Sequence, residues 1–165
     1  MKRKIIQHPL RKKFPPSEPC SCEICKSYCI RPGWWLVQEA RLAIEEGLAN
    51  RMMLEVSPDR TFGVLSPSFK GNEGLIAMQI FSKNYCTFFN NGLCELFGKD
   101  YQPLECRFVH HSRKGQGIVC HNALEKDWNS IEGKKLVKEW IQTTSFLSKA
   151  EKLYPPEILK NLLFL

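Results

Sequence analysis

Eight cysteines in 165 residues, set in two groups, constrain this chain more than anything else in it. Four lie in the run Cys20-Ser21-Cys22-Glu23-Ile24-Cys25-Lys26-Ser27-Tyr28-Cys29, and Cys86, Cys94, Cys106 and Cys120 follow far downstream. Groups so far apart meet only in a folded chain. Thiolates are soft ligands that suit zinc or an iron–sulfur cluster, and both centres accept four cysteines, so spacing alone does not separate the two. If residues 22 to 29 wind as a helix, offsets of three and seven put Cys22, Cys25 and Cys29 on one face and turn Cys20 away. The competing readings are a disulfide framework and unrelated core thiols. Disulfides need an oxidising compartment, and Met1 to Lys13 does not read as an export signal, because Gln7-His8-Pro9 interrupts Ile5-Ile6 at once. The expectation is metal binding in a reducing cytoplasm.

The length suits one domain with an ordinary core, so a metal here is not obliged to hold a tiny fold together. A formal charge of +7 suggests nucleic acid until it is located. Lys2, Arg3, Lys4, Arg11, Lys12 and Lys13 carry six positive charges with no acid among the first 13 residues, leaving 18 basic against 17 acidic residues. The body is nearly neutral. Residues 1–19 therefore read as a flexible basic arm ahead of a metal-binding domain at 20–150 and a docking helix or tail at 151–165. Phosphate attraction through the arm is the sharper alternative. No apolar stretch approaches the roughly 20 residues of a membrane span, and no repeat or low-complexity linker is evident.

Trp34-Trp35 opens an expected helix through about Leu48, with Val37, Ala40, Ile44 and Leu48 inward and Gln38, Glu39, Arg41 and Glu45 toward water. Met52 to Val56 and Phe62 to Leu65 read as short strands across a Pro58-Asp59 turn, and Gly74 to Phe81 as a strand or buried segment. Asn90-Asn91-Gly92 between Cys86-Thr87-Phe88-Phe89 and Leu93-Cys94-Glu95-Leu96-Phe97 predicts a tight β-hairpin that draws Cys86 toward Cys94. Residues 103–107 read as a loop or helical turn, Leu124 to Trp128 as a short helix, and Ser130 as the cap of a longer one with Leu136, Val137, Trp140, Ile141 and Thr144 inward. Glu157 to Leu165 completes the chain as a docking helix. The fold class is a small α+β domain: a short antiparallel sheet or hairpin flanked by helices around a cysteine-ligated metal site.

Cys22-x2-Cys25-x3-Cys29, the adjoining Pro32-Gly33-Trp34, Cys86-Thr87-Phe88-Phe89-x-Asn91-Gly92-x-Cys94, Pro103-Leu104-Glu105-Cys106-Arg107 and the later Cys120 together resemble the YkgJ-like cysteine-cluster family of zinc- or iron-chelating proteins. The likeness runs over roughly residues 20 to 140. That family often has adjacent cysteines where this chain has Tyr28-Cys29, so one ligand position of the pattern is absent. What the resemblance implies is metal binding by Cys22, Cys25, Cys29, Cys86, Cys94, Cys106 and Cys120, with Cys20 in reserve. Seven thiols exceed one four-coordinate site and fall short of two.

A histidine could complete a second site, and His110, His111 and His121 all lie near cysteines in sequence. Each also reads as an ordinary hydrogen-bonded or surface histidine, and none enters the primary ligand set. Arg31 and Arg107 are candidates to offset thiolate charge. The preferred function is a metal-binding protein with a cysteine-ligated zinc ion or iron–sulfur centre. Two alternatives stand beside it. One is a redox or protein-modifying enzyme using an iron–sulfur centre, since some flagellin lysine methylases carry a similar cluster, although no cofactor fingerprint or nucleophile–base pair accompanies it here. The other is an interaction module whose arm binds an acidic protein or nucleic acid.

Overall fold

The computed structural model describes residues 6–78 and 84–162, without the side chains of Met78 and Leu162. Its α-helices are α1 (Pro9–Lys13), α2 (Glu23–Ser27), α3 (Val37–Glu45), α4 (Gly117–Trp128), α5 (Ile131–Thr143), α6 (Phe146–Leu153) and α7 (Pro156–Leu162). The strands are β1 (Met52–Val56), β2 (Gly63–Pro67), β3 (Ile76–Met78), β4 (Phe89–Asn90) and β5 (Leu93–Cys94). This is the expected α+β arrangement: a three-stranded sheet and a two-stranded hairpin beside helices.

The larger sheet is mixed rather than antiparallel. β1 pairs antiparallel with β2, Leu54 opposite Leu65, and parallel with β3, Leu54 opposite Ile76. Ser57 and Asp59 close the β1–β2 connection, Ser57 Oγ donating to Asp59 Oδ1 at 2.8 Å. Helix α5 lies on β2 and also meets α3, α4 and α6. Leu136, Val137 and Trp140 form its buried face, as expected, and the Ser130 hydroxyl accepts the Gly133 amide at its start. Helix α6 was not expected from the sequence. Residues 79–81 of the strand or buried segment expected at Gly74 to Phe81, and 163–165 of the terminal helix, lie outside the described residues.

Four tryptophans organise the core. Trp34, Trp35, Trp128 and Trp140 are all buried, and each indole N–H has an acceptor: Glu55 for Trp34, Tyr101 O for Trp35, Trp35 O for Trp128 and Ala49 O for Trp140. A buried indole covers about 150–250 Å², and pairing its N–H avoids the penalty of about 1–3 kcal/mol for a buried unsatisfied donor. Trp34 and Trp35 stand in extended chain ahead of α3 rather than inside it.

Glu39 is a correction to the expected wet face of α3: it is 0 % exposed. Its Oε2 accepts the Leu36 amide at 3.0 Å and the Leu104 amide at 2.9 Å, while Asp127 Oδ2 accepts the Val37 amide at 2.8 Å. Two carboxylates thus satisfy amides that the helix start leaves unpaired, and they tie α3 to α4 and to the turn carrying Cys106. Burial pushes the Glu39 carboxyl up to about 7 against the pull of those amides and of Arg11.

The basic arm is seated on the body from His8 onward. Leu10 and Phe14 pack against the core, Phe14 meeting the Phe108 ring at 5.3 Å. Arg107 Nη1 donates to Arg11 O at 3.1 Å and Phe14 O at 2.6 Å, and Arg11 Nε lies 3.5 Å from Glu39 Oε1. Arg113 then grips the double proline, donating to Pro15 O at 2.8 Å and Pro16 O at 3.1 Å. Residues 1–5 of the expected flexible arm lie outside the described residues, and its part from Arg11 to Pro16 is held by two arginines ahead of Cys20.

Candidate metal centre

The eight cysteines are all free thiols, and the fold sorts them into an outer group, an inner group and one left apart. The outer group begins where the held arm ends. Cys22 is the N-cap of α2 and therefore extended, its Sγ accepting the Cys25 amide at 3.5 Å. Because α2 starts only at Glu23 and ends at Ser27, Cys20 is not turned away as a longer helix would require.

Across from these sulfurs, a 3-10 turn at His111–Arg113 presents His111. Its Nδ1 lies 3.6 Å from Cys20 Sγ, 3.7 Å from Cys22 Sγ and 3.5 Å from Cys25 Sγ. The His111 amide also donates to Cys25 Sγ at 3.2 Å. His110 stands beside it with the two rings stacked at 4.3 Å, and one ligand atom each from Cys20, Cys25, His110 and His111 lies within 4.8 Å of all the others. This Cys/His cluster could hold a metal ion. His110 Nδ1 already accepts the Ser112 amide at 3.2 Å and lies 2.7 Å from Ser112 Oγ.

The Cys25 amide and neighbouring sulfurs pull the exposed Cys22 thiol down to about 6, whereas burial pushes Cys25 up to about 11. The lowered Cys22 thiol would meet a cation more readily as thiolate, and a cation bound there would displace the proton of the covered Cys25 to solvent.

The inner group is Cys29, Cys86, Cys94 and Cys106. Cys29 sits in the 3-10 turn Tyr28–Ile30 that follows α2, and its carbonyl accepts the Cys86 amide at 2.8 Å. Cys94 ends the hairpin, paired with Phe89, and Asn91 and Gly92 take the left-handed conformations (φ 52° and 76°) that the sequence predicts for the turn. Cys106 lies in the 3-10 turn Leu104–Phe108. Burial raises all four thiols, Cys29 to about 11 and Cys86 to about 12, with each other's charge adding to the rise in Cys29, Cys86 and Cys106. Arg51 opposes it at Cys86, and the same guanidinium sits 4.0 Å over the Phe88 ring.

Cys120 reaches neither group. It is buried in the core on α4, where burial pushes its thiol to about 12 and Glu105, Glu39 and Arg107 are the charges that act on it. Arg107, expected near the thiolates, serves the arm and Cys120 instead. His121 is committed as well: Nδ1 lies 2.9 Å from Glu105 Oε2, Nε2 lies 3.5 Å from Glu125 Oε1, and the ring lies tilted against Trp34 with centroids 4.3 Å apart.

Of the seven thiols expected as ligands, then, Cys22 and Cys25 go to the outer group and Cys29, Cys86, Cys94 and Cys106 to the inner one. Cys20, held in reserve, and His111, weighed and set aside, complete the outer group. The signal for His111 was only that it lies near a cysteine in sequence, which it shares with His110 and His121 and which does not point to Cys20, Cys22 or Cys25. No protein-family model, curated protein or solved structure matches the chain.

Proposed function

We propose that this protein binds one zinc ion through Cys20, Cys22, Cys25 and His111. The observation that carries this is a set of three distances. With Zn–S about 2.3 Å and Zn–N about 2.0–2.1 Å at the tetrahedral angle, sulfur and nitrogen on one ion stand about 3.6 Å apart. His111 Nδ1 meets three sulfurs at 3.5 to 3.7 Å. Cys22 is taken as the fourth ligand rather than His110 because its Sγ stands 3.7 Å from His111 Nδ1, close to the separation of the other two sulfurs, and accepts the Cys25 amide at 3.5 Å.

Such an ion ties chain segments 86 to 91 residues apart, fastening the seated arm and α2 to the turn before α4. Four protein ligands close the coordination shell, which is the arrangement of structural rather than catalytic zinc. The resemblance to the YkgJ-like proteins implies metal binding with no substrate, and of its implied ligands this reading keeps Cys22 and Cys25 and adds Cys20 and His111.

Zinc titration of metal-free protein tests it. One equivalent is expected to bind tightly, His111→Ala and Cys22→Ser to lose most of the affinity, and His110→Ala to retain it. Loss of zinc in His110→Ala with full binding in Cys22→Ser contradicts this ligand set.

A further inference from the structure

The seated arm does not close flat against the body. A cleft of about 550 Å³ remains there, lined on the arm side by Ile6, Pro9, Arg11 and Lys12 and on the body side by Arg107. Among the described residues no aspartate or glutamate lines it. Cations from segments 96 residues apart therefore face one space.

Arg107 is the unusual member. It is only 5 % exposed, its Nη1 is spent on Arg11 O and Phe14 O, and its buried Nε has no hydrogen-bond partner. Carbonyl oxygens satisfy N–H groups without cancelling charge, and a buried guanidinium ordinarily meets an anion as well. The acid behind the cleft is Glu39, whose Oε1 lies 3.5 Å from Arg11 Nε and whose Oε2 accepts the Leu36 and Leu104 amides. One carboxylate thus stands against Arg11, Lys12 and Arg107, an excess of two positive charges. A water molecule would satisfy the Nε and leave that excess unchanged.

The complement of such a site is a compact dianion. A phosphate monoester carries about −1.5 to −2 charge at pH 7 and offers three acceptor oxygens. Guanidinium forks pair with those oxygens two at a time, and a lysine adds a point charge. The cleft is far larger than a bare phosphate, and Ile6 and Pro9 give it an apolar wall for an organic remainder.

We infer that the seated arm and Arg107 form a binding site for the phosphate group of a small molecule, with Arg107 and Arg11 pairing with its oxygens and Lys12 adding charge from the rim. This differs from diffuse attraction of a free basic arm to nucleic acid, which needs a run of phosphates and no buried arginine. The site uses none of the zinc ligands and fails separately from the zinc reading.

The test is calorimetric titration of the zinc-loaded full chain, at fixed salt, with phenyl phosphate, inorganic phosphate, acetate and a short single-stranded oligonucleotide. One saturable equivalent of phenyl phosphate is expected, with inorganic phosphate competing for it and acetate binding more weakly. Lys12 is exposed, so Lys12→Ala leaves the core intact; it is expected to weaken binding about 3-fold or more and to keep one zinc. Arg107→Lys keeps the charge and removes the fork, and is expected to weaken binding about 10-fold or more. Lys138→Ala makes the same charge change on the exposed side of α5 and should leave binding unchanged. Tighter binding of phenyl phosphate than of inorganic phosphate assigns an organic phosphate, equal binding assigns the free ion, and either upholds the site. Absence of saturable binding of both phosphates by the wild type overturns the inference, as does acetate binding equally well. Phosphate affinity unchanged in both Lys12→Ala and Arg107→Lys also overturns it. So does binding of the oligonucleotide alone with a steep salt dependence, which returns the arm to non-specific attraction. Lys12→Ala decides the matter where Arg107→Lys unseats the arm.

Discussion

Glu55 sits in β1 among apolar residues and is 2 % exposed, with the Trp34 indole N–H donating to its Oε2. Burial pushes its carboxyl to about 8, outweighing the Trp34 bond and the charge of Arg31. An exposed glutamate titrates near 4.3, so above about that pH the unfolded chain has released a proton that the folded chain retains up to about 8. Stability from this group is complete in acid and is lost as pH rises through that window. Glu55→Gln keeps the acceptor for Trp34 and removes the titration. From urea unfolding of the zinc-loaded protein, the stability of the wild type relative to Glu55→Gln should fall between pH 5 and 8 by on the order of a few kcal/mol. Equal slopes would refute it. At Gly33 the constraint is space: besides the Cys106 sulfur, a Cβ would stand 2.9 Å from the Cys106 amide nitrogen. Gly33→Ala should therefore cost about 1–3 kcal/mol by overpacking, read from the same urea unfolding. The sequence marks Gly33 only as a break after Pro32. Its need follows from Cys106, 73 positions away in the chain, and no local pattern carries that.

The elements that were legible are those whose signals are local. Asn91-Gly92 sets the hairpin turn, Ser130 caps α5, and Met52–Val56 forms β1 over the expected residues. Helix α2 was not legible, because three- and seven-residue spacing argues for one face only if the helix runs that far. It ends at Ser27, the chain tightens into a 3-10 turn, and Cys29 leaves the outer sulfurs for the inner ones. A further consequence concerns Arg113, which fixes the strand-like segment before Cys20 through Pro15 and Pro16. Removing such a support for a ligand typically weakens metal binding by about 10-fold or more. Arg113→Ala should do so in competition with a chromophoric chelator, while Arg41→Ala, whose partner Glu139 lies on the surface, should leave affinity unchanged. The same affinity in both variants would show that the arm does not position Cys20.

At the scale of the molecule, the fold class was readable from alternating short strands and amphipathic helices, whereas the partition of the cysteines was not. The sequence suggested that sulfurs of the early run and of the later hairpin region converge on a metal, whereas the converging set holds early cysteines with His110 and His111. The fold instead divides the early run, sending Cys29 to the late cysteines and bringing His111 to Cys20, Cys22 and Cys25. Among the described residues no helix is long and apolar enough to cross a membrane. Because the outer ligands lie on segments remote in the chain, zinc is expected to stabilise the whole fold. With free zinc about 1,000-fold above its dissociation constant, the gain is about 4 kcal/mol, and for a chain of this size that moves Tm by about 8–16 °C. Calorimetry with and without a zinc chelator measures the shift, and an unchanged Tm would remove the structural role. The ligand shell itself is the most direct target. X-ray absorption at the zinc edge, on protein carrying one equivalent of zinc, should show about three sulfurs near 2.3 Å and one nitrogen near 2.0 Å. A shell of four sulfurs, or one dominated by nitrogen and oxygen, would contradict the assignment to Cys20, Cys22, Cys25 and His111.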